Sequence, residues 1–341
     1  MLTGELKVLH VTEAVGAGVE SAITQYVRST PEMQHTVLIP SDRPERIGGN
    51  QDLSWMPTGG LTGLAWALQR QASNYDVIHL HSSLAGAIGR SVLLSSRTPV
   101  IYSPHALAHL NHARKLRSMF KAIETTLQRH TSSFGAVSQH EADALMAIGV
   151  DAGRIVVVPH AIQSPNEPPS FEARSTSVIG VGRLSVQKDP WMFAEVASLA
   201  RRADSRSDWR WVGDGDTGAR AALEKSGVLV TGWLDTSAAQ GEMQQARAVL
   251  HTARYEGLPI ALVEAMAAGT PVVARDIPAL RELPVRLVES PQQMLEALQE
   301  LQDRDEWIAA SLEGASHVSA TFTGHAQAAA LRELYAKAVN R

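Results

Sequence analysis

Short apolar runs alternate with amphipathic stretches along almost the whole chain. Leu6 to Val11 is a β-rich run, Gly16-Ala17-Gly18 follows as a loop, and Val19 to Arg28 has helical character. The same order returns repeatedly. Val77-Ile78-His79-Leu80 reads as a buried strand, His81-Ser82-Ser83 as a turn and Leu84 to Leu94 as a helix. Pro99 to Tyr102, Phe134 to Val137 and Ile155 to Val158 are further strands. Ser138 with Glu141 three residues on has the spacing of a capping box, in which each side chain takes an amide of the other's first turn. Residues 163–175 keep neither period; three prolines among polar neighbours mark a linker. The pattern then restarts. Ser177 to Val181 is a strand, Trp191 to Arg202 a helix, and Arg210 to Gly213, Val228 to Thr231, Ala248 to His251 and Pro271 to Ala274 are short strands between helices. Residues 291–340 are helical in character, and the last helix carries Ala328, Leu331, Leu334, Tyr335 and Ala338 on one face, which has to pack on something.

Alternation of this kind specifies parallel sheets wrapped by helices. The expected organisation is two α/β domains, residues 1–165 and 166–321, with a helix over 322–341 packing back towards the first. Ligands of such sheets sit at the carboxyl ends of the strands, so the expected site is a cleft between the two domains.

Composition narrows the partners. The 341 residues are too many for one ordinary core and suit two domains. Hydrophobic residues make up 44% and charged residues 19%, with a net charge of -4, so no basic excess is available for nucleic acid. Residues 1–165 hold 13 basic against 12 acidic side chains, and ten of the 13 histidines, which makes that half the place to look for proton chemistry near neutral pH. Cysteine is absent, which excludes disulfides and thiolate-metal sites and fits a reducing cytoplasm. Glu5 and Lys7 interrupt any signal-like apolar run, and no stretch is long enough to span a membrane. Any membrane contact would be peripheral. The candidate is residues 113–130, where Leu116, Met119, Phe120, Ile123 and Leu127 form an apolar face flanked by Arg114, Lys115, Arg117 and Lys121. An ordinary docked helix with a solvated basic side is the preferred reading.

The densest chemistry lies between Glu256 and Gly269. Gly257 and Pro259 mark a loop, Glu264 falls on a helix of apolar and small residues, and Gly269 ends that helix. A carboxylate on such a helix needs a partner. A ribose diol, with two hydroxyl donors, suits it; an arginine on a neighbouring helix is the plainer alternative.

This Glu-x7-Glu string closely resembles the signature of the retaining glycosyltransferase family 4, the group 1 glycosyl transferases, of GT-B fold. The resemblance spans nearly the whole chain and implies two Rossmann-like domains, an N-terminal one for the acceptor and a C-terminal one for a nucleotide-sugar donor. By it, Glu264 would hold the donor ribose, Glu256 would contact the donor sugar, and Gly257 and Leu258 would lie near the diphosphate or sugar. Gly182-Arg183-Leu184 with Lys188 follows a strand end, where Arg183 and Lys188 can neutralise a diphosphate leaving group as a bound metal does elsewhere. Gly18 resembles part of the family's Gly-Gly-x-Glu loop with Ala17 in place of one glycine. His81 and His105 resemble cleft-lining histidines, His105 beside the transferred sugar and acceptor, while His79 reads as structural. Gly232 and Trp233 resemble a loop around the base, although Trp233 packing in the core is an equal alternative. Pro159-His160-Ala161-Ile162 departs from the family's Pro-Asn-Gly.

The implied reaction moves a sugar from a UDP- or GDP-sugar to a glycan or lipid-linked acceptor, with retention and with no metal or other cofactor. The setting it implies is cell-envelope polysaccharide or glycolipid synthesis. A nucleotide-sugar 2-epimerase of the same fold, or a non-catalytic nucleotide-sugar-binding subunit, are the alternatives.

Overall fold

The computed structural model describes residues 6–13, 18–40, 54–107, 114–163, 169–203 and 207–340. The chain divides into two compact units. Unit 1 comprises Met1–Ala161 with Gly324–Arg341, and unit 2 comprises Ile162–Thr323. The sequence reading placed the two breaks at residues 165 and 321.

Unit 1 carries a parallel sheet of seven strands: β1 (Lys7–Val11), β2 (Gln34–Ile39), β3 (Ser54–Pro57), β4 (Val77–His81), β5 (Val100–Ser103), β6 (Ser133–Ala136) and β7 (Ile155–Val157). Their order across the sheet is β3-β2-β1-β4-β5-β6-β7. The chain therefore winds outward from β1 in one direction and resumes at β4 in the other. Every residue of β4 is buried, as expected of a strand with helices on both faces. The β3 strand, Ser54–Pro57, is one the apolar pattern did not mark.

Close helix–sheet contact depends on glycine in the helix Ser83–Val92. A Cβ on Gly86 would stand 2.3 Å from the Tyr102 ring, and one on Gly89 would stand 2.5 Å from Leu80. Bare glycine lets the helix axis approach the sheet where any side chain would hold it off. The helix Gly324–Val339 completes the unit. Its Leu331, Leu334, Tyr335 and Ala338 share a buried cluster with Leu6, Val8, Val77 and Ile101. The apolar face read from the sequence thus covers one face of the seven-stranded sheet, and Ser133 Oγ donates to Leu334 O at 3.1 Å.

Unit 2 repeats the winding with six parallel strands: β8 (Val178–Val181), β9 (Trp209–Val212), β10 (Leu229–Val230), β11 (Ala248–His251), β12 (Val272–Arg275) and β13 (Arg286–Val288). The order is β10-β9-β8-β11-β12-β13. Ligand crevices of such sheets open where the winding reverses, outside the carboxyl ends of the two central strands. In unit 2 those strands are β8 and β11.

Candidate functional site

The loops after β8 and β11 carry most of the unit 2 residues singled out from sequence. Gly182 has φ of 136°, and a Cβ there would stand 2.9 Å from Lys188 Cε, so the glycine lets the lysine side chain lie across the loop. Lys188 Nζ then reaches Glu256 Oε1 at 2.5 Å. Gln187 Nε2 donates to Glu256 Oε2 at 3.2 Å, and His251 Nε2 lies 3.4 Å from Oε1. Burial alone would push the Glu256 carboxyl up. The Lys188 ammonium and the His251 ring outweigh burial and hold it at about 2. Two residues expected to face the substrate separately are therefore ion-paired with each other. Spacing along the chain gave no sign of it, because Lys188 and Glu256 are 68 residues apart.

Asp189 fixes the frame around this pair. It adopts a left-handed backbone, φ 48°, and ends the loop at the helix Pro190–Arg202. Its carboxylate accepts from Arg254 Nε at 2.9 Å and Arg275 Nη2 at 2.8 Å. Thr252 Oγ1 lies within hydrogen-bond reach of the carbonyls of Lys188 and Asp189. The segments following β8 and β11 and the end of β12 are thus tied at one point. Gln187, Asp189, His251, Arg254 and Arg275 were not identified from sequence.

Arg183 contrasts with Lys188. Its side chain is exposed and makes no ion pair or hydrogen bond among the described residues. Glu264, on the helix Ile260–Ala267, is half-buried, and its hydrogen bond comes from Gln240 Nε2 at 3.1 Å. Burial pushes its carboxyl up, with the Gln240 amide opposing. Among the described residues no arginine pairs with Glu264; the neighbouring helix offers a neutral amide. Pro259 is the N-cap of this helix, Gly257 is buried and Leu258 is half-buried. Gly232 takes φ of 77° in a bridge to Gly213, and Trp233 next to it is 63% exposed, so Trp233 is not a core residue.

In unit 1, Gly18 opens the helix Gly18–Ser29, whereas Gly16 and Ala17 lie outside the described residues. Glu13, not singled out from sequence, accepts from Ser82 Oγ and from Ala85 N and so ties the end of β1 to the start of the helix after β4. His105 and Ala106 both have positive φ, 52° and 97°. Glu141 holds that bend by accepting from Ala106 N at 2.7 Å and Val137 N at 3.0 Å. The expected capping box is therefore half made. Ser138 Oγ accepts from Glu141 N, but the Glu141 carboxylate serves the His105 loop. Burial lifts that carboxyl to about 7 against its two amide donors.

His81 corrects the sequence reading. It is fully buried, and both ring nitrogens are engaged, with His10 at 2.9 Å and His105 at 2.9 Å. It acts on His105 and does not line an open surface. His79 is also buried, between Ser103 Oγ at 2.8 Å and Tyr335 OH at 3.3 Å. His10, His79 and His81 bring ring nitrogens within 4.8 Å of one another, a grouping with the makings of a metal site that spacing did not suggest. Each of these rings already has both nitrogens in hydrogen bonds, so a metal ion would have to displace them.

The basic helix runs from Arg114 to Leu127, with residue 113 and the side chains of residues 114–116 outside the description. Met119 is exposed; the side chain that buries is Glu124. No helix among the described residues is long and apolar enough to cross a membrane.

Residues 16–164 match the sequence family described as Glycosyltransferase Family 4, and residues 175–304 match Glycosyl transferases group 1. This chain is a family 4 glycosyltransferase. The resemblance carried by Glu256 and Glu264 is thereby borne out. A Klebsiella pneumoniae protein, described as an uncharacterized 41.2 kDa protein in the cps region, is 25% identical over 301 residues, 82% of this chain and 83% of that protein. The Escherichia coli UDP-Gal:alpha-D-GlcNAc-diphosphoundecaprenol alpha-1,3-galactosyltransferase is 24% identical over 227 residues, 60% of the glycosyltransferase described here and 58% of its relative. Among solved structures, Anabaena Alr3699/HepE in complex with UDP and glucose aligns with a TM-score of 0.81 at 17% identity, covering 97% of this chain and all of that one. The glycosyltransferase has the GT-B fold, each unit a doubly wound sheet.

Proposed function

We propose that this glycosyltransferase moves a sugar, with retention of anomeric configuration and without a metal, from a UDP-sugar, or alternatively a GDP-sugar, to a glycan or lipid-linked acceptor. Cell-envelope polysaccharide or glycolipid synthesis is the setting. The observation that carries the reading is Glu264, a half-buried carboxylate whose partner is the neutral Gln240 amide. A carboxylate kept there without a cation is under-satisfied, and two ribose hydroxyls would complete it. The activity named for the E. coli relative supports the UDP-sugar and the lipid-linked acceptor.

Arg183, exposed and without an ion pair among the described residues, forks onto the diphosphate oxygens. Lys188 shares its charge between Glu256 and the diphosphate as the bond to the sugar breaks, which stabilises the departing anion. Glu256 lies beside the sugar, and its low pKa keeps it ionised at neutral pH, where it stabilises positive charge developing at the anomeric carbon. The leaving phosphate oxygen accepts the acceptor's proton. Gly257, Leu258, Gly232 and Trp233 line the donor, and Gly18 approaches phosphate through its amide at a helix start. In unit 1, His105 contacts a substrate hydroxyl.

Glu264→Ala is expected to reduce nucleotide binding at least tenfold in calorimetry while circular dichroism and the melting temperature stay close to the parent. Undiminished UDP binding by that variant would sink the ribose assignment. NMR of the product's anomeric proton tests retention, and incubating the donor alone tests for 2-epimerisation.

A further inference from the structure

Four histidines of unit 1 form one continuous hydrogen-bonded file that ends at His105. His35 Nδ1 lies 3.0 Å from His10 Nε2, His10 Nδ1 lies 2.9 Å from His81 Nε2, and His81 Nδ1 lies 2.9 Å from His105 Nε2. Every link joins an Nδ1 to an Nε2, so the file has a direction. Adjacent rings stack at centroid distances of 5.1–5.2 Å.

A hydrogen bond between two imidazoles needs one N–H and one bare nitrogen. Neutral rings carry one proton each, so once the proton on one ring is placed, the placement propagates along the file. Burial first, and the neighbouring histidines after it, hold His10 and His81 well below the usual imidazole range. His105 is brought to about 3 by burial and by His160. His35 is also lowered, by burial, against Thr30 and Glu32. The four rings are therefore neutral at pH 7.

The far end decides the direction. His35 Nε2 faces Thr30 O and Thr30 Oγ1, each at 3.1 Å. The carbonyl only accepts. The hydroxyl gives its own proton to Tyr26 O at 2.8 Å, so towards His35 it too accepts. His35 must hold its proton on Nε2, which leaves its Nδ1 bare. His10 then donates from Nε2, His81 donates from Nε2, and His105 donates from Nε2 to His81. We propose that Thr30, His35, His10 and His81 are positioning residues that fix His105 in its Nε2–H tautomer, so that its bare Nδ1 accepts a hydrogen bond from a substrate hydroxyl.

Nδ1 of His105 has no partner among the described residues. The strained backbone at His105 and Ala106, held by Glu141, sets where that lone pair points. The ligand class follows from the chemistry: a group with a proton to give, such as a sugar or acceptor hydroxyl. A carboxylate or carbonyl at that position would meet lone pair with lone pair. The tautomer assignment stands on the hydrogen bonds and on burial keeping the four rings neutral, whereas the hydroxyl ligand rests on the transferase reading.

The test uses the full chain with 15N-labelled histidine and long-range 1H–15N correlation at pH 7. The expected result is Nε2–H for His35, His10, His81 and His105. An Nδ1–H signal for His105 in the parent protein would overturn the proposal. So would stoichiometric zinc co-purifying on His10, His79 and His81, because zinc would consume the lone pairs of the file. His10→Phe should release His105 into a tautomer mixture and lower kcat roughly tenfold, the worth of about one misdirected hydrogen bond, with UDP affinity unchanged. His35→Leu, at the half-buried end, serves as the second variant if His10→Phe does not fold, with the same change expected. A folded variant with an unshifted His105 spectrum, or with parental kcat, would count against the file. Absence of UDP binding by the parent protein would instead defeat the transferase reading and leave the spectra to decide the tautomer.

Discussion

Glu256 and Glu264 are separated by seven intervening residues and live in opposite electrostatic surroundings. Glu256 has an ammonium at 2.5 Å, an amide and an imidazole; Glu264 has one amide. The contrast makes separable predictions. Because the folded carboxyl of Glu256 titrates near 2 and an unperturbed one near 4.5, its contribution to stability is full above about pH 4.5 and is lost as the pH falls towards 2. Glu256→Gln should therefore lower the urea midpoint of unit 2 at pH 7 by an amount worth on the order of 2–3 kcal/mol, and the gap from the parent should shrink at pH 3. An equal gap at both pH values would mean that the ion pair is not what stabilises the loop. The sequence made both acids visible, since a carboxylate among small and apolar residues stands out. It did not show which cation Glu256 meets. That depends on β8 and β11 being neighbours, a fact of the whole sheet. The imidazole file was hidden for the same reason: His10, His35, His81 and His105 come from four separate segments, joined only once β1, β2, β4 and β5 lie side by side.

At the scale of elements, the helix Arg114–Leu127 shows where periodicity misleads. Its apolar positions suggested a greasy face. The contact that holds it is polar: Glu124 takes Arg90 Nη2 at 2.8 Å and the Tyr102 hydroxyl at 3.0 Å. Arg90 is fully buried, lies 3.9 Å over the Tyr102 ring, and donates to Gly86 O from Nε. Arg90→Met would leave Glu124 charged and buried without its cation. The expected cost is about 3–5 kcal/mol, read as a fall in the denaturation midpoint. Arg90→Met with Glu124→Leu together should recover most of it, since removing both charges removes the penalty. Full destabilisation in the double variant would show that the pair acts through packing. Strands and helices themselves were mostly legible, because apolar runs bounded by glycine and proline report burial directly. Three strands were missed: β2, whose first half is polar, and the short edge strands β3, with two of its four residues exposed, and β13, with three half-buried residues.

Across the whole molecule, the same winding appears twice, and the linker read from its prolines falls near the break after Ala161. The helix Gly324–Val339 belongs to unit 1 although it follows unit 2 in the chain. Removing residues 324–341 should strip amide-exchange protection from β1, β4, β5 and β6 and leave β8 to β13 protected, as measured by mass spectrometry. Uniform loss across both units would contradict the division.

This late-arriving helix bears on how the protein is born. A chain emerging from the ribosome presents the thirteen described strands before it supplies Leu331, Leu334 and Tyr335. The second sheet has everything it needs at that moment, while the first still shows a bare apolar flank to the surroundings. Assembly of the first half therefore finishes last. In that interval the nascent protein is at its most adhesive and most in need of a chaperone.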